Sequence, residues 1–282
     1  MKKSIQFIVL VLLSLQTQAQ VRFETSLTEA FEKAQQEKKL VFIEYYNSDC
    51  SVCKSLGELL KKDTLVEKFY NKNFINYALN TKEGFISKED QELLDNANLH
   101  FEYVPALLYF DRNKNFIHHS GVYVTSDHVI NEGKKAYHAD YRTSGLKAKY
   151  DNGDRTVRTL YAYASLLKIQ KNDSLLKTVN DDLFEAFSKE ELSSKSSYII
   201  LKEVINSTEN GFFQYWMNNL DNLKGFETAT KEGTEKLALE KIVLKELQNP
   251  DVKKWPQERK QTFMNYIKLL KITDNPEVYF EN

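Results

Sequence analysis

One stretch of the chain decides its fold: residues 40–60 read LVFIEYYNSDCSVCKSLGELL. The first seven residues are almost all apolar, which predicts a buried β-strand. Two cysteines, Cys50 and Cys53, follow this strand and open a segment in which leucines recur at helical spacing. They are the only cysteines in the sequence. A strand that leads into a helix beginning at two cysteines is the arrangement that a redox-active dithiol requires, because the helix dipole favours the thiolate of the first cysteine.

The first residues of the chain have the pattern of an export signal. Residues 1–19 combine two lysines, a short apolar run and the small residues Thr17 and Ala19, which predicts a secretory signal peptide and a periplasmic or secreted protein. The apolar run is shorter than the roughly 20 residues of a membrane-spanning helix. No cysteine stands at the predicted cleavage point, so we expect no lipid anchor and no stable membrane insertion.

The remainder of the chain changes pattern near its middle. Residues 20–125 alternate strand-like and helix-like segments, which predicts an α/β domain. Residues 126–282 show amphipathic helical patterns and almost no strand signals, which predicts an all-α domain of consecutive helix hairpins. The net charge is −1, and basic residues alternate with acidic ones. This composition argues against a nucleic-acid partner, and no motif indicates a cofactor.

The α/β domain has a recognisable order of elements. The pattern predicts a strand, a helix, a strand, a helix and a β-hairpin around the two cysteines. We expect a helix at 26–37, strands at 40–46 and 74–80, a helix at 87–97, and a hairpin of strands 103–111 and 116–123.

Three of these segments resemble the thioredoxin fold family: residues 40–54, residues 104–110 and the Gly121 that follows the hairpin. The resemblance covers about residues 22–125 and implies a central mixed sheet flanked by helices. In that family the proline that opens the hairpin strand is cis and packs against the disulfide, which corresponds to Pro105. The residue before it, here Val104, presents its backbone to an extended substrate segment.

The resemblance also gives a role to the one acidic residue of the first apolar strand. The family often buries a carboxylate beneath the second cysteine, six positions before the first, which corresponds to Glu44. Burial would raise the pKa of Glu44, and its carboxyl group would then accept or return the Cys53 proton through a water molecule. Because an unpaired acid is seldom fully buried, an edge or partly solvated position for Glu44 is the alternative.

The residues around the cysteines depart from the family pattern. Asp49 stands where an aromatic residue is usual, and Ser51 and Val52 replace Gly-Pro between the cysteines. We expect these three residues to contact the substrate. A carboxylate at Asp49 works against the thiolate of Cys50, while the helix dipole favours it. Residues 81–100 also form a longer segment than in a minimal thioredoxin.

The resemblance and the cysteine pair together predict a thiol–disulfide oxidoreductase. Cys50 would attack a protein disulfide, and Cys53 would resolve the mixed disulfide. Asp49 and the buried acid favour reduction as its direction, with a second, unidentified redox partner, while the all-α domain would select or position client proteins. The alternative is a redox-inactive binding or scaffold protein with a structural disulfide, although a bridge that closes so short a loop constrains the unfolded chain little.

The histidines offer a metal site as a further alternative. His118 and His119 are adjacent, so in a strand they point to opposite faces and cannot join one site. His100 lies near Pro105 in sequence and could approach the cysteines. The spacing matches no tetrahedral metal signature, and we predict no metal.

Overall fold

The computed structural model describes residues 20–227 and 234–281. The predicted signal peptide, residues 1–19, lies outside this described part. Among the described residues, no helix combines the length and the apolar character that crossing a membrane would need.

The chain forms two compact units, the first ending at Gly145 and the second beginning at Leu146. The sequence pattern suggested a change of domain at residue 125. The first unit continues beyond that position because the helix Ser126–Tyr137 buries Val129 and Ala136 in the same core as the sheet. A helix that completes an α/β layer has the same amphipathic pattern as a helix of an all-α domain, so the pattern does not separate the two.

A five-stranded mixed sheet forms the centre of the first unit. In chain order the strands are β1 (Phe23–Glu24), β2 (Leu40–Tyr46), β3 (Phe74–Asn80), β4 (Ala106–Phe110) and β5 (Phe116–Gly121). They lie side by side in the order β1-β3-β2-β4-β5. β3 runs parallel to β1 and β2, whereas β4 is antiparallel to β2 and β5.

The position of β2 in the middle of the sheet follows from its sequence. Val41, Phe42 and Ile43 are all fully buried, because helices cover both faces of a central strand. The predicted bounds of β2 and β3 are confirmed. β4 begins at Ala106 rather than at 103, directly after Pro105, since a proline has no N–H to donate to the sheet.

The sheet is flanked by helices α1 (Leu27–Glu37), α2 (Ser51–Lys62), α3 (Thr64–Asn73), α4 (Lys88–Asn96) and α5 (Ser126–Tyr137). Ser26 caps α1, and the Ser87 side chain accepts a hydrogen bond from the N–H of Asp90 at the start of α4. The sequence pattern did not predict α3. Asp63 ends α2 and caps α3, so the break between the two helices is one residue long.

The core on the α2 side of the sheet is aromatic. Phe42 and Tyr109 from the sheet pack against Leu56 of α2 and Tyr70 of α3, and all four are fully buried. The hydroxyl groups of Tyr70 and Tyr109 lie 2.7 Å apart, and the Tyr70 hydroxyl donates to the Val129 carbonyl oxygen. These contacts hold α2, and with it the two cysteines, in a defined position against β2 and β4.

The described residues of the second unit form helices joined by turns and loops, with no β-strand among them. Its helices are α6 (Leu146–Asp151), α7 (Val157–Ile169), α8 (Asp173–Glu185), α9 (Lys195–Glu203), α10 (Gly211–Asn218), α11 (Lys236–Leu247) and α12 (Gln257–Leu270). Trp216 is fully buried, and its indole N–H donates to the Ser197 hydroxyl at 3.0 Å. The predicted all-α character of this part of the chain is confirmed.

Candidate active site

Cys50 is the N-cap residue of α2. Its sulfur accepts a hydrogen bond from the backbone N–H of Cys53 at 3.2 Å. The N–H groups of a first helical turn lack partners within the helix and favour a negative charge at this position. Partial burial acts to raise the pKa of Cys50, but hydrogen bonds from Cys53 and from the N–H of Val52 outweigh it and lower the pKa below its ordinary value. Cys50 is therefore the candidate nucleophile.

Cys53 lies one helical turn further on and is buried, with 3% of its surface exposed. Burial raises the pKa of the Cys53 thiol to about 11, and the nearby Cys50 and Glu44 contribute to the increase. Both cysteines are free thiols in this structure. The pair therefore combines an outer sulfur that ionises easily with an inner sulfur that keeps its proton, as successive attack by Cys50 and then Cys53 requires.

The Val104–Pro105 segment lies beside the outer sulfur. The Cys50 sulfur is 3.9 Å from the Val104 carbonyl oxygen, although the two residues are 54 positions apart in sequence. The Val104–Pro105 peptide bond is cis, as the family resemblance implied. Pro105 is buried and Val104 is half-buried, so the backbone of Val104 borders the site next to the nucleophile.

Glu44 lies inside the sheet behind the cysteines, with 6% of its surface exposed. On β2 it is paired with Ala78 of β3 and Leu107 of β4, and neither neighbour has a polar side chain. Burial raises the pKa of Glu44 to about 7, against the opposing charge of Lys61. The predicted buried position is confirmed, and the alternative of an edge position is wrong because β2 is central.

Ser51 and Val52 occupy the first turn of α2 and are both exposed. Val52 leaves 46% of its surface accessible, although it is apolar. Their exposure next to Cys50 leaves both side chains able to contact a substrate.

The family relationship agrees with this geometry. Residues 22–112 match the profile of a protein family described as thioredoxin-like. The first unit, which contains these residues and the five-stranded sheet, is therefore a thioredoxin-like domain. Among solved structures, a candidate disulphide-isomerase from Bacteroides thetaiotaomicron is 24% identical, with a TM-score of 0.36, and the similarity covers 43% of this chain and 95% of that one. A DsbH oxidoreductase is 18% identical, with a TM-score of 0.36 and coverage of 42% and 84%. No curated protein matches the chain significantly.

The thioredoxin-like domain supplies a partner for the acid that precedes the nucleophile. The ammonium group of Lys82 lies 3.2 Å from Oδ1 and 3.1 Å from Oδ2 of Asp49. A positive charge at this distance offsets the carboxylate that works against the Cys50 thiolate. The sequence pattern did not identify Lys82 as a residue of the site. The order of the strands could have indicated its position. Because β2 and β3 are parallel, the segments that follow them, which carry Asp49 and Lys82, meet at one edge of the sheet.

The segment that carries Lys82 is anchored to the end of β2. The Thr81 N–H and hydroxyl group donate to the Tyr46 carbonyl oxygen at 2.7 and 3.1 Å. The Asn80 side chain accepts a hydrogen bond from the Ser48 N–H at 3.3 Å. The start of the 81–100 segment is therefore held beside the cysteines.

We expect Lys82→Gln to slow the alkylation of Cys50 by iodoacetamide at pH 6.5 and low salt. Without the ammonium group, the Asp49 charge acts fully on the Cys50 thiolate, and an exposed ion pair of this kind is worth about a 2- to 5-fold change in rate. Mass spectrometry of the alkylated peptide measures the rate. Lys82→Arg should retain the wild-type rate, as should Lys88→Gln, which removes an exposed ion pair with Glu92 on α4. Equal rates for Lys82→Gln and wild type would contradict the prediction.

The histidines have other partners. His118 Nε2 lies 3.1 Å from Glu132, and the His119 ring packs against Phe101. His100 contacts the nearby Asn98 side chain at 3.1 Å. Among the described residues, no three His, Cys, Asp or Glu side chains are grouped as metal ligands.

Proposed function

We propose that this chain is an exported thiol–disulfide oxidoreductase that reduces disulfide bonds of client proteins. The observation that carries the proposal is how α2, the Val104–Pro105 segment and Cys53 are arranged around Cys50. Its sulfur caps α2 and lies 3.9 Å from the Val104 carbonyl oxygen, while Cys53 is buried behind it. An extended client strand that hydrogen-bonds to the Val104 backbone would bring its disulfide to the Cys50 sulfur.

The reaction takes place in two exchanges. The Cys50 thiolate attacks one sulfur of the client disulfide, the S–S bond of the client breaks, and its second sulfur leaves as a thiolate and takes up a proton. Cys53 then loses its proton and attacks the Cys50 sulfur. The mixed disulfide breaks, the first client sulfur leaves as a thiolate, and a Cys50–Cys53 disulfide remains. The client gains two electrons and the cysteine pair loses two.

Glu44 supports the second exchange. The Cys53 thiol has a pKa of about 11, so it needs a base before it can attack. A buried carboxyl group with a pKa of about 7 can take up that proton through a water molecule and later return it. This favours a role of the cysteine pair as a reductant, because Cys53 must lose its proton in every turnover of that reaction.

Export is part of the proposal and is supported by the signal-peptide pattern of residues 1–19. Outside the cytosol a disulfide persists unless something reduces it. An exported reductase of this kind therefore needs a second partner that returns two electrons to the Cys50–Cys53 disulfide. A thiol donor is the chemical class that fits.

A redox titration with a trapping experiment tests the proposal. The full chain is equilibrated in graded glutathione buffers, and the Cys53→Ser variant is incubated with proteins of the exported fraction. We expect reversible oxidation of the Cys50–Cys53 pair and accumulation of mixed disulfides on Cys50 of the variant, because the resolving sulfur is absent.

Two results would reject the proposal in favour of a structural disulfide. One is a Cys50–Cys53 bridge that resists reduction in the folded protein. The other is a Cys53→Ser variant that traps nothing above the level of a Cys50→Ser, Cys53→Ser double variant.

A further inference from the structure

Asn80 is the last residue of β3, and its side chain joins the two segments that lie beside the cysteines. The side-chain oxygen Oδ1 accepts a hydrogen bond from the Ser48 N–H at 3.3 Å and another from the Lys82 N–H at 3.1 Å. An amide oxygen has two lone pairs, so it can accept both bonds. In the parallel pair of β2 and β3, Asn80 lies opposite Tyr46, the last residue of β2. One oxygen atom therefore connects the segment after β2 to the segment after β3.

A turn of three residues, Asn47, Ser48 and Asp49, leads from β2 to Cys50, and we call it the β2–α2 turn. The Asn47 side chain accepts a hydrogen bond from the Asp49 N–H at 2.9 Å, and the Asn47 carbonyl oxygen accepts one from the Cys50 N–H at 3.1 Å. These two bonds shape the turn from within. The bond from Ser48 to Asn80 reaches outside the turn and ties its middle residue to β3. The position of the turn that delivers Cys50 therefore depends on Asn80.

The β2–α2 turn also faces the buried sulfur. Burial raises the pKa of the Cys53 thiol, and a hydrogen bond from the Asn47 backbone opposes that increase. The backbone group that donates a hydrogen bond is the N–H, and its donation to sulfur stabilises the thiolate. Cys53 must become a thiolate when it resolves the mixed disulfide. Because Asn80 holds the turn, it keeps this N–H donor directed at the sulfur that has to ionise.

The same side chain keeps two charges near each other. The ammonium group of Lys82 lies 3.2 Å from Oδ1 of Asp49, but the two side chains are 42% and 70% exposed. An ion pair with this exposure gains little free energy, so it does not fix its own geometry. Asn80 holds the backbone on both sides, because it accepts the Lys82 N–H and the N–H of the residue before Asp49. It thereby keeps the ammonium group within reach of the carboxylate that works against the Cys50 thiolate.

We propose that Asn80 is a positioning residue of the cysteine pair, which holds the β2–α2 turn and Lys82 where both favour the thiolates. Asn80 acts through these neighbours and not on the reacting sulfurs. This inference rests on the proposed function, since it concerns how readily the same two cysteines react. The alternative is a purely structural role, in which Asn80 satisfies two N–H groups at the end of a strand and its loss lowers stability alone.

One reagent measures both sulfurs without a client protein. A dipyridyl disulfide reacts first with Cys50, which releases one pyridinethione at a rate proportional to the reagent concentration. Cys53 then attacks the Cys50 sulfur and displaces the second pyridinethione at a rate that does not depend on that concentration. Reduced full-length protein is mixed with the reagent by stopped flow at a series of pH values. The pH midpoint of the first phase reports the ionisation of Cys50, and the rate of the second phase reports resolution by Cys53.

Asn80→Ala removes the shared acceptor, and both phases should change. We expect the midpoint of the first phase to rise by about 0.3 to 0.7 pH unit, the effect of losing an exposed ion pair. The second phase should slow by about 3- to 10-fold, the effect of losing one hydrogen bond. Asn80→Ser, whose hydroxyl group is too short to reach both N–H groups, should behave in the same way. Asn80→Asp keeps the acceptor, so its second phase should match the wild type in about 0.5 M salt, which screens its added charge.

Asn71→Ala is the matched control for a purely structural role. Asn71 precedes β3, and its Oδ1 accepts the Arg22 N–H at 2.9 Å, so it makes the same kind of bond at the other end of the strand. This variant should have a lower melting temperature and wild-type values of both phases. Wild-type values of both phases in Asn80→Ala would overturn the inference, as would equal changes in Asn71→Ala. If Asn80→Ala does not fold, Asn80→Ser decides by the same criteria.

The outcomes separate this inference from the proposed function, because the dipyridyl disulfide replaces the client. Changed phases in Asn80→Ala, together with a Cys53→Ser variant that traps no client, would reject the oxidoreductase and support the positioning role. Trapped clients, together with wild-type phases in Asn80→Ala, would reject the positioning role and support the oxidoreductase.

Discussion

Cys50→Ser is expected to lower the rate of disulfide reduction by at least about three orders of magnitude, as removal of an enzyme nucleophile does. A hydroxyl group is not ionised at neutral pH, whereas the Cys50 thiol has a pKa below its ordinary value. The substitution should remove activity while leaving the folded structure intact. Serine is a good N-cap residue, so it can accept the same hydrogen bond from the Cys53 N–H at the start of α2. A thiol-coupled insulin or peptide reduction assay measures the rate.

Cys53→Ser is the matched control for this substitution. It should keep the first exchange, so the stopped-flow rate of mixed-disulfide formation stays within a few-fold of the wild type while turnover is lost. Equal loss of the first exchange in both variants would contradict the assignment of Cys50 as the nucleophile. Retained reduction in Cys50→Ser would contradict it as well.

Glu44→Gln is expected to change how stability depends on pH. In the folded protein, burial raises the pKa of Glu44 to about 7, while the ordinary value of a Glu side chain is 4.5. Between these two values the folded state binds more protons than the unfolded state, so this group makes stability fall as pH rises from about 4.5 to 7. The difference in pKa corresponds to about 3 kcal/mol. Relative to wild type, Glu44→Gln should gain up to that amount across the window.

Denaturant unfolding of both proteins at a series of pH values measures this gain. Glu132→Gln provides a control of opposite sign in the same unit. Burial acts to raise the pKa of Glu132, but hydrogen bonds from His118 and Lys135 outweigh it and lower the pKa to about 2. The stability that Glu132 contributes is present at neutral pH and is lost only as pH falls towards that value. The Glu132→Gln protein should therefore be less stable than wild type at neutral pH, the opposite of the change expected for Glu44→Gln.

Glu44→Gln also tests the proton transfer. An amide cannot accept the Cys53 proton, so resolution of the mixed disulfide should slow by about 10²-fold at pH 7, while its formation by Cys50 is little changed. Parallel pH profiles of stability in wild type and Glu44→Gln would contradict the raised pKa. Unchanged resolution would contradict the role as a base.

Local patterns were enough to predict the centre of the thioredoxin-like domain. β2 and β3 are short apolar runs between polar segments, and their observed bounds are the predicted ones. Cys50 and Cys53 were identified from spacing alone, since the chemistry of the pair depends on residues within one helical turn. The cis bond at Pro105 came from family resemblance, because nothing local to an X–Pro pair determines its isomer.

Other features were not predictable from local patterns. The helix α3 follows α2 after a single capping residue, Asp63, so the apolar pattern contains no visible break. The helix α5 was assigned to the wrong side of the domain boundary, because an amphipathic pattern shows that one face is buried but not against which partner.

The sequence by itself determined β2 and β3, the cysteine pair on its helix and the presence of an acid in the central strand, since each depends on side chains that are neighbours along the chain. Only the tertiary structure decided what surrounds the reactive sulfur. It placed Val104 at 3.9 Å from Cys50, paired Lys82 with Asp49, and buried Glu44 between β3 and β4. These are contacts between distant segments, and they depend on the order and direction of strands in the sheet, which hydrophobic spacing does not encode.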